Sequence, residues 1–386
     1  MQEELIADCV HCGFCLPTCP TYTLWHEEMD SPRGRILLMA GLNDGTIELT
    51  DTVVEHFDRC LGCMACVTAC PSGVRYDVLI EETRSAIERT HRRRLGDRLL
   101  RSAVFAVFPH RRRLRAALAL RRLPAPGALG RLRALAPPWS ASEWPPEHIP
   151  GPGKRVALLA GCVQSVVFGD VNAATARVLA AEGYDVHVPR RQGCCGALHA
   201  HAGRVDNGTA RAGALGQELA GYDHIVTNAA GCGSHIKDHG VAGAVDVSEL
   251  VGRTAARHPL ELSVAFQDPC HLRHAQGLSA EPREMLDSIP GLERREPAGQ
   301  DLCCGSAGIY NLIESEAALE LGERKAQAII DTGADAYASA NPGCLVQVSA
   351  VLRRAGHPLP SFHPIELLDA SIRGIPAEQL LEQARR

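Results

Sequence analysis

The sequence predicts an α+β chain of several domains: a small, mostly helical module followed by two copies of an α/β unit. Three observations carry this. The sixteen cysteines are grouped, eight before residue 71 and eight after residue 161, with none between. The later eight fall into two sets with the same internal pattern. Each of those sets is threaded on alternating apolar strand-like runs and helix-like stretches. A length of 386 residues is consistent with two or three domains at roughly 150 residues each. The 45% hydrophobic and 22% charged content is that of a globular protein, and a net charge of −5 gives no global case for nucleic acid. The start, MQEELIADCVHCG, has no basic and apolar leader pattern, and no window reaches the ~18 apolar residues of a membrane span. A reducing, cytoplasmic setting is therefore expected, in which so many cysteines point to metal rather than disulfides.

The first domain is expected at residues 1–90. It contains CVHCGFCLPTCP, with Cys9, Cys12, Cys15 and Cys19, and then CLGCMACVTACP, with Cys60, Cys63, Cys66 and Cys70. Both read C-x2-C-x2-C-x3-C-P. Thiolates suit zinc and iron–sulfur clusters alike, but zinc sites use paired CxxC units. This run instead holds [4Fe–4S] clusters in two-cluster ferredoxins, with the fourth cysteine serving the other cluster. Cys9, Cys12, Cys15 and Cys70 are thus expected on one cluster, and Cys60, Cys63, Cys66 and Cys19 on the second. Gly13, Gly62 and Ala65 leave room for main-chain N–H groups to approach the sulfurs. Between the runs, SPRGRILLMAGLNDG reads as a helix with glycine stops. That spacing favours a helical two-cluster ferredoxin-like domain over a compact β-rich one. A zinc-bound scaffold is the alternative.

Residues 91–153 are expected to be a connector. HRRRLGDRLLRSAVFAVFPHRRRLRAALALRRL is an Arg-rich amphipathic helical stretch, and PAPGALG and PPWSASEWPPEHIPGPG are linker-like. The arginines are expected to form a solvated face. Apolar residues among them leave peripheral contact with a membrane surface, on its inner face, open.

Residues 154–258 and 259–386 are expected to be the two duplicated Rossmann-like units. Cys162 precedes the pair Cys194–Cys195 in GCCGA, followed by Cys232; Cys270 precedes Cys303–Cys304 in LCCGS, followed by Cys344. DVSELV and HPIELL occupy matching places. RVALLAG, DVHVP, HIVTNAAG, LSVAFQD and AYASANPG read as strands running into loops, and VNAATARVLAAEG and EAALELGERKAQAIIDTG as helices. Each cysteine follows a strand or opens a helix. Open α/β sheets place their sites there, so four distant cysteines per unit can converge. Four thiolates suffice for a cluster, so one or two further Fe–S clusters are expected in these units; buried structural cysteines are the plainer alternative. His199, His201, His271 and His274 lie near these segments as candidate ligands or proton carriers.

CVHCGFCLPTCPTY, DSPRGRI, CLGCMACVTACPSGVRY, GCCGALHAHAG, DPCHL, CCGSAGIYN and NPGC together resemble the iron–sulfur subunits of glycolate oxidase, over essentially the whole chain. Related chains serve lactate utilisation and anaerobic glycerol-3-phosphate oxidation. The resemblance implies an electron-transfer subunit of a flavin-dependent 2-hydroxyacid dehydrogenase, with glycolate converted to glyoxylate on partner subunits that carry FAD. It also implies a respiratory acceptor such as the quinone pool. The cysteine-rich CCG unit is shared with a heterodisulfide reductase subunit, whose motif closes in CxxC. Ala229 and Asn341 occupy the first positions of those pairs here, which argues against a thiol–disulfide reductase. No P-loop, GxGxxG or GxSxG pattern is present, so no dinucleotide site and no catalytic residue is assigned.

Overall fold

The computed structural model describes residues 3–119 and 144–385. PAPGALG, the end of the Arg-rich stretch and the start of the second linker segment lie outside them. The N-terminal region is helical. Pro32–Asp44 forms the helix read from SPRGRILLMAGLNDG: Ser31 caps it by accepting from the Gly34 N–H, Pro32 opens it, and Gly45 ends it at φ +78°. Helices Asp51–Asp58 and Tyr76–Thr90 complete a small core of Met39, Val54, Phe57, Leu79 and Ile80.

Two sheets follow. The first contains β1 (His148–Ile149), β2 (Arg155–Leu158), β3 (Asp185–His187), β4 (His224–Thr227) and β5 (Ala244–Asp246), in the order β1-β3-β2-β4-β5. The second contains β6 (Leu262–Phe266), β7 (Leu292–Arg295), β8 (Ala336–Ala338) and β9 (Ser361–Phe362), in the order β7-β6-β8-β9. With β1 set aside, the two orders are the same, and every pairing in them is parallel. The sequence repeat is therefore a repeat of topology. DVSELV and HPIELL form equivalent helix starts, each a capping box: Asp246 with Glu249, and His363 with Glu366. The copies share one core. Val156, Leu158 and Val226 of one sheet belong to it together with Val264, Phe266 and Ala336 of the other. Helices Gly169–Ala181 and Pro364–Ile372 pack across the join, where Arg177 meets Asp369 at 2.6 Å.

Two readings of the connector change. His148–Ile149, within a segment read as linker, forms an antiparallel edge strand on β3. The arginines do not all sit on a solvated face. Arg93 and the buried Arg101 turn inward onto Asp58 and Glu88, because Leu95–Val107 lies against the N-terminal helices. The same helix buries Val104 and Phe105 beside Ala202 and Ile309. No helix among the described residues is long and apolar enough to cross a membrane.

Candidate metal centres

The two N-terminal cysteine runs fold into matching loops. Left-handed backbone recurs at the second and fourth positions after the first cysteine of each: His11 (φ +53°) and Gly13 (+87°) in one, Gly62 (+62°) and Met64 (+62°) in the other. Each run thus has one glycine and one residue that carries strain to hold the turn. Such successive turns aim main-chain N–H groups inward. Gly62 N lies 3.4 Å from Cys60 Sγ, and Val74 N lies 3.5 Å from Cys70 Sγ.

The runs lie side by side and exchange their last cysteines. One cleft is lined by Cys9, Cys12, Cys15, Cys66 and Cys70; the other by Cys19, Cys60, Cys63 and Cys66. Pro32, Cys66 and Tyr76 line both, so the clefts share a wall. The donor set, at least four soft thiolates around each cleft, fits an iron–sulfur cluster.

A buried charge network lies under the second cleft, and its role is not evident from sequence spacing. Arg35, fully buried, donates to the His56 carbonyl at 2.6 Å, to Thr21 Oγ1 at 3.2 Å and to Asp30 Oδ1 at 3.3 Å. Asp30 also accepts from Arg59 at 3.0 Å. Arg84 donates to the Phe57, Cys60 and His201 carbonyls. Burial pushes the Cys60 thiol up, but Arg35 and Arg84 outweigh it and hold Cys60 below the ordinary thiol range. Burial and neighbouring sulfurs push Cys63 and Cys66 well above it. The Tyr76 hydroxyl donates to Cys60 Sγ at 3.7 Å.

In the duplicated units, Cys162 and Cys232 lie beyond the carboxyl ends of the neighbouring strands β2 and β4, and Cys270 and Cys344 beyond β6 and β8. This is the point where strand order reverses, the usual place for a site in an open sheet. The vicinal cysteines come in from the loops after β3 and β7. Cys162 meets Cys194 at 3.5 Å, Cys195 meets Cys232 at 3.2 Å, and Cys304 meets Cys344 at 3.3 Å. The motif glycines explain the tight turn. Gly196 and Gly305 sit at φ +99° and +87°, and a Cβ on either would lie 2.3 Å from the Gly208 carbonyl oxygen or 2.5 Å from that of Ala318.

The candidate histidines take separate places. His199 stacks on Phe105 with centroids 4.8 Å apart, His274 Nδ1 meets Thr68 Oγ1 at 2.8 Å, and His201 faces His271 at 4.8 Å. His271 Nδ1 lies 3.7 Å from Cys270 Sγ, and His11, which spacing did not single out, lies 3.8 Å from Cys9 Sγ. The second cleft abuts the second unit: Leu61, Cys63 and Ala65 pack in one apolar cluster with Cys303 and Tyr310.

These features define an iron–sulfur protein built from a dicluster module and two cysteine-rich domains. The 4Fe-4S dicluster domain family matches residues 5–74, and the Cysteine-rich domain family matches 156–237 and 264–349. The chain is 36% identical to the "Probable glycolate oxidase iron-sulfur subunit" of Bacillus subtilis (strain 168), covering 92% of this chain and 91% of that one. It is 34% identical to the "Glycolate oxidase iron-sulfur subunit" of Escherichia coli (strain K12), covering 96% and 95%. A crystal structure of a hypothetical protein from Helicobacter pylori shares the fold with a TM-score of 0.55 at 10% identity; the match covers 84% of this chain and 65% of that one. The chain belongs to the family of glycolate oxidase iron–sulfur subunits. As such it is an iron–sulfur electron-transfer subunit of an oxidoreductase.

Proposed function

We propose that this chain carries electrons from a partner FAD subunit that oxidises glycolate to glyoxylate to a respiratory acceptor of the quinone type. The observation that carries the reading is the exchange of Cys19 and Cys70 between two clefts that share Cys66. Cys9, Cys12, Cys15 and Cys70 would hold one [4Fe–4S] cluster, and Cys60, Cys63, Cys66 and Cys19 the other. Such clusters supply one-electron storage between a two-electron donor and its acceptor. Arg35 and Arg84 offset negative charge at Cys60, and Tyr76 orients its sulfur. The second unit, through Cys303 beside Cys63, extends this path. The first meets the module through Arg84 and the His201 carbonyl rather than through a cysteine.

The test is anaerobic co-purification followed by glycolate addition. A flavoprotein should accompany the chain, and glycolate should bleach the visible cluster absorbance. Bleaching by lactate alone would keep the architecture and change the substrate.

A further inference from the structure

A small cleft open to solvent lies where the N-terminal module meets the two cysteine-rich units. Cys60 and Leu61 line both this cavity and the second cysteine cleft. Four polar atoms of its lining residues are buried and lack a hydrogen-bond partner: Arg101 Nε, Tyr310 Oη, His201 Nε2 and His271 Nε2. Arg101 and Tyr310 are each only 5% exposed. An unpaired donor on such a side chain is costly; Arg101 and Tyr310 call for a ligand with acceptor atoms, and the two imidazole nitrogens donate or accept according to tautomer.

Charge narrows the class. Arg93 takes Asp58 and Glu88 at 2.5 Å each, so Arg101 reaches the same carboxylates only at 3.4 and 3.8 Å. Arg84, the third arginine of the wall, donates to main-chain carbonyls. Arg101 thus keeps no close carboxylate of its own, while Glu81, 3.8 Å from His201, and Glu314, acting on Tyr310, also bear on the cavity. Burial correspondingly pushes Arg101 below the usual guanidinium range. The rest of the lining, including Leu61, Leu198, Ile309 and Ile313, is apolar and suits a short carbon skeleton.

We propose that this cavity binds a small monocarboxylate, of the size of a short hydroxy or oxo acid, whose oxygens accept from Tyr310, Arg101 and the two imidazoles. Its negative charge then lies beside Cys60 and lowers the reduction potential of the neighbouring centre. That second effect rests on the iron–sulfur reading; the binding does not. The ligand is either the partner's own substrate or product, or a general carboxylate, and glycolate, glyoxylate and acetate as probes distinguish these sources.

The experiment uses the full chain, purified anaerobically with its iron. Each acid, and neutral glycolamide, is titrated in by calorimetry while the electron paramagnetic resonance of the reduced protein is recorded. Saturable binding of a carboxylate with none of glycolamide is expected. Tyr310→Phe should weaken it about five- to tenfold, the value of one hydrogen bond. Should Tyr310→Phe fail to fold, Leu198→Phe, which fills the cavity, should abolish binding. Absence of binding to a chain that shows its clusters, equal binding of glycolamide, or unchanged affinity in a folded variant overturns the cavity and leaves the relay standing. Carboxylate binding to a chain that holds no iron does the reverse.

Discussion

The two cysteine-rich units have the same strand order, the same sulfur pairings and the same glycine turn, yet they sit in different company. In the second, Cys303 packs with Leu61, Cys63 and Ala65 of the N-terminal module, and Cys303, Cys304 and Cys344 are all buried. In the first, the vicinal pair is buried as well and Cys162 is half-buried like Cys270, so only Cys232, half-buried where Cys344 is buried, differs; the helix after the vicinal pair packs on the connector, His199 against Phe105. Duplication has preserved the cysteine pattern, while location gives the two copies different neighbours.

The largest expected effect tests that difference. Cys303→Ser, beside Cys63, should cut acceptor reduction by the holo-complex to background while flavin reduction by glycolate persists. Cys194→Ser in the other copy should leave both rates near wild type. Equal losses in stopped-flow traces would mean that both copies lie on the path. Next in size is a pair of changes expected to match. Gly196→Ala and Gly305→Ala each force a Cβ against a carbonyl at left-handed φ, and each should cost ~2–4 kcal/mol. Similar drops in anaerobic thermal midpoint would show the turns equivalent, and a tolerant copy would break the equivalence.

Much of this was legible because it is local. The C-x2-C-x2-C-x3-C-P runs encode their turns, with left-handed backbone at the same two places in each. The repeat of Cys162, Cys194–Cys195 and Cys232 in Cys270, Cys303–Cys304 and Cys344 encodes two sheets of one topology. Contacts between segments far apart in the chain were not legible. Nothing in spacing marks Arg35 or Arg84; only folding brings Asp30, Phe57 and Cys60 around them. Arg101 reads as part of a solvated stripe until Asp58, 43 residues away, closes on it. His148 reads as linker until it pairs with His187. Spacing also could not tell which copy of the repeat faces the N-terminal module, because the copies carry the same cysteines.

The smallest effect separates the copies by acid. Asp246 and His363 cap matching helices, but one does so with a carboxylate and the other with an imidazole that must stay neutral to accept from the Ile365 N–H at 3.1 Å. Burial pushes His363 down to about 3 and Asp246 up to about 6. For His363 the unfolded chain, with an ordinary histidine near 6.5, binds the extra proton between pH 3 and 6.5. Its stability is therefore full at neutral pH and drains as pH falls through that window. For Asp246 the folded chain holds the extra proton between pH 3.8 and 6, so its penalty is full above that window and shrinks as pH falls. Moving from about pH 7 to about pH 5 should cost the wild type about 2 kcal/mol relative to His363→Asn, and favour it by about 1 kcal/mol relative to Asp246→Asn. Asparagine still caps, so both variants keep their helices, and the comparison reads the proton alone. Unfolding midpoints at the two pH values give the answer. Shifts of the same sign in both variants would mean that the two caps, despite their matching geometry, are not buried as the structure has them.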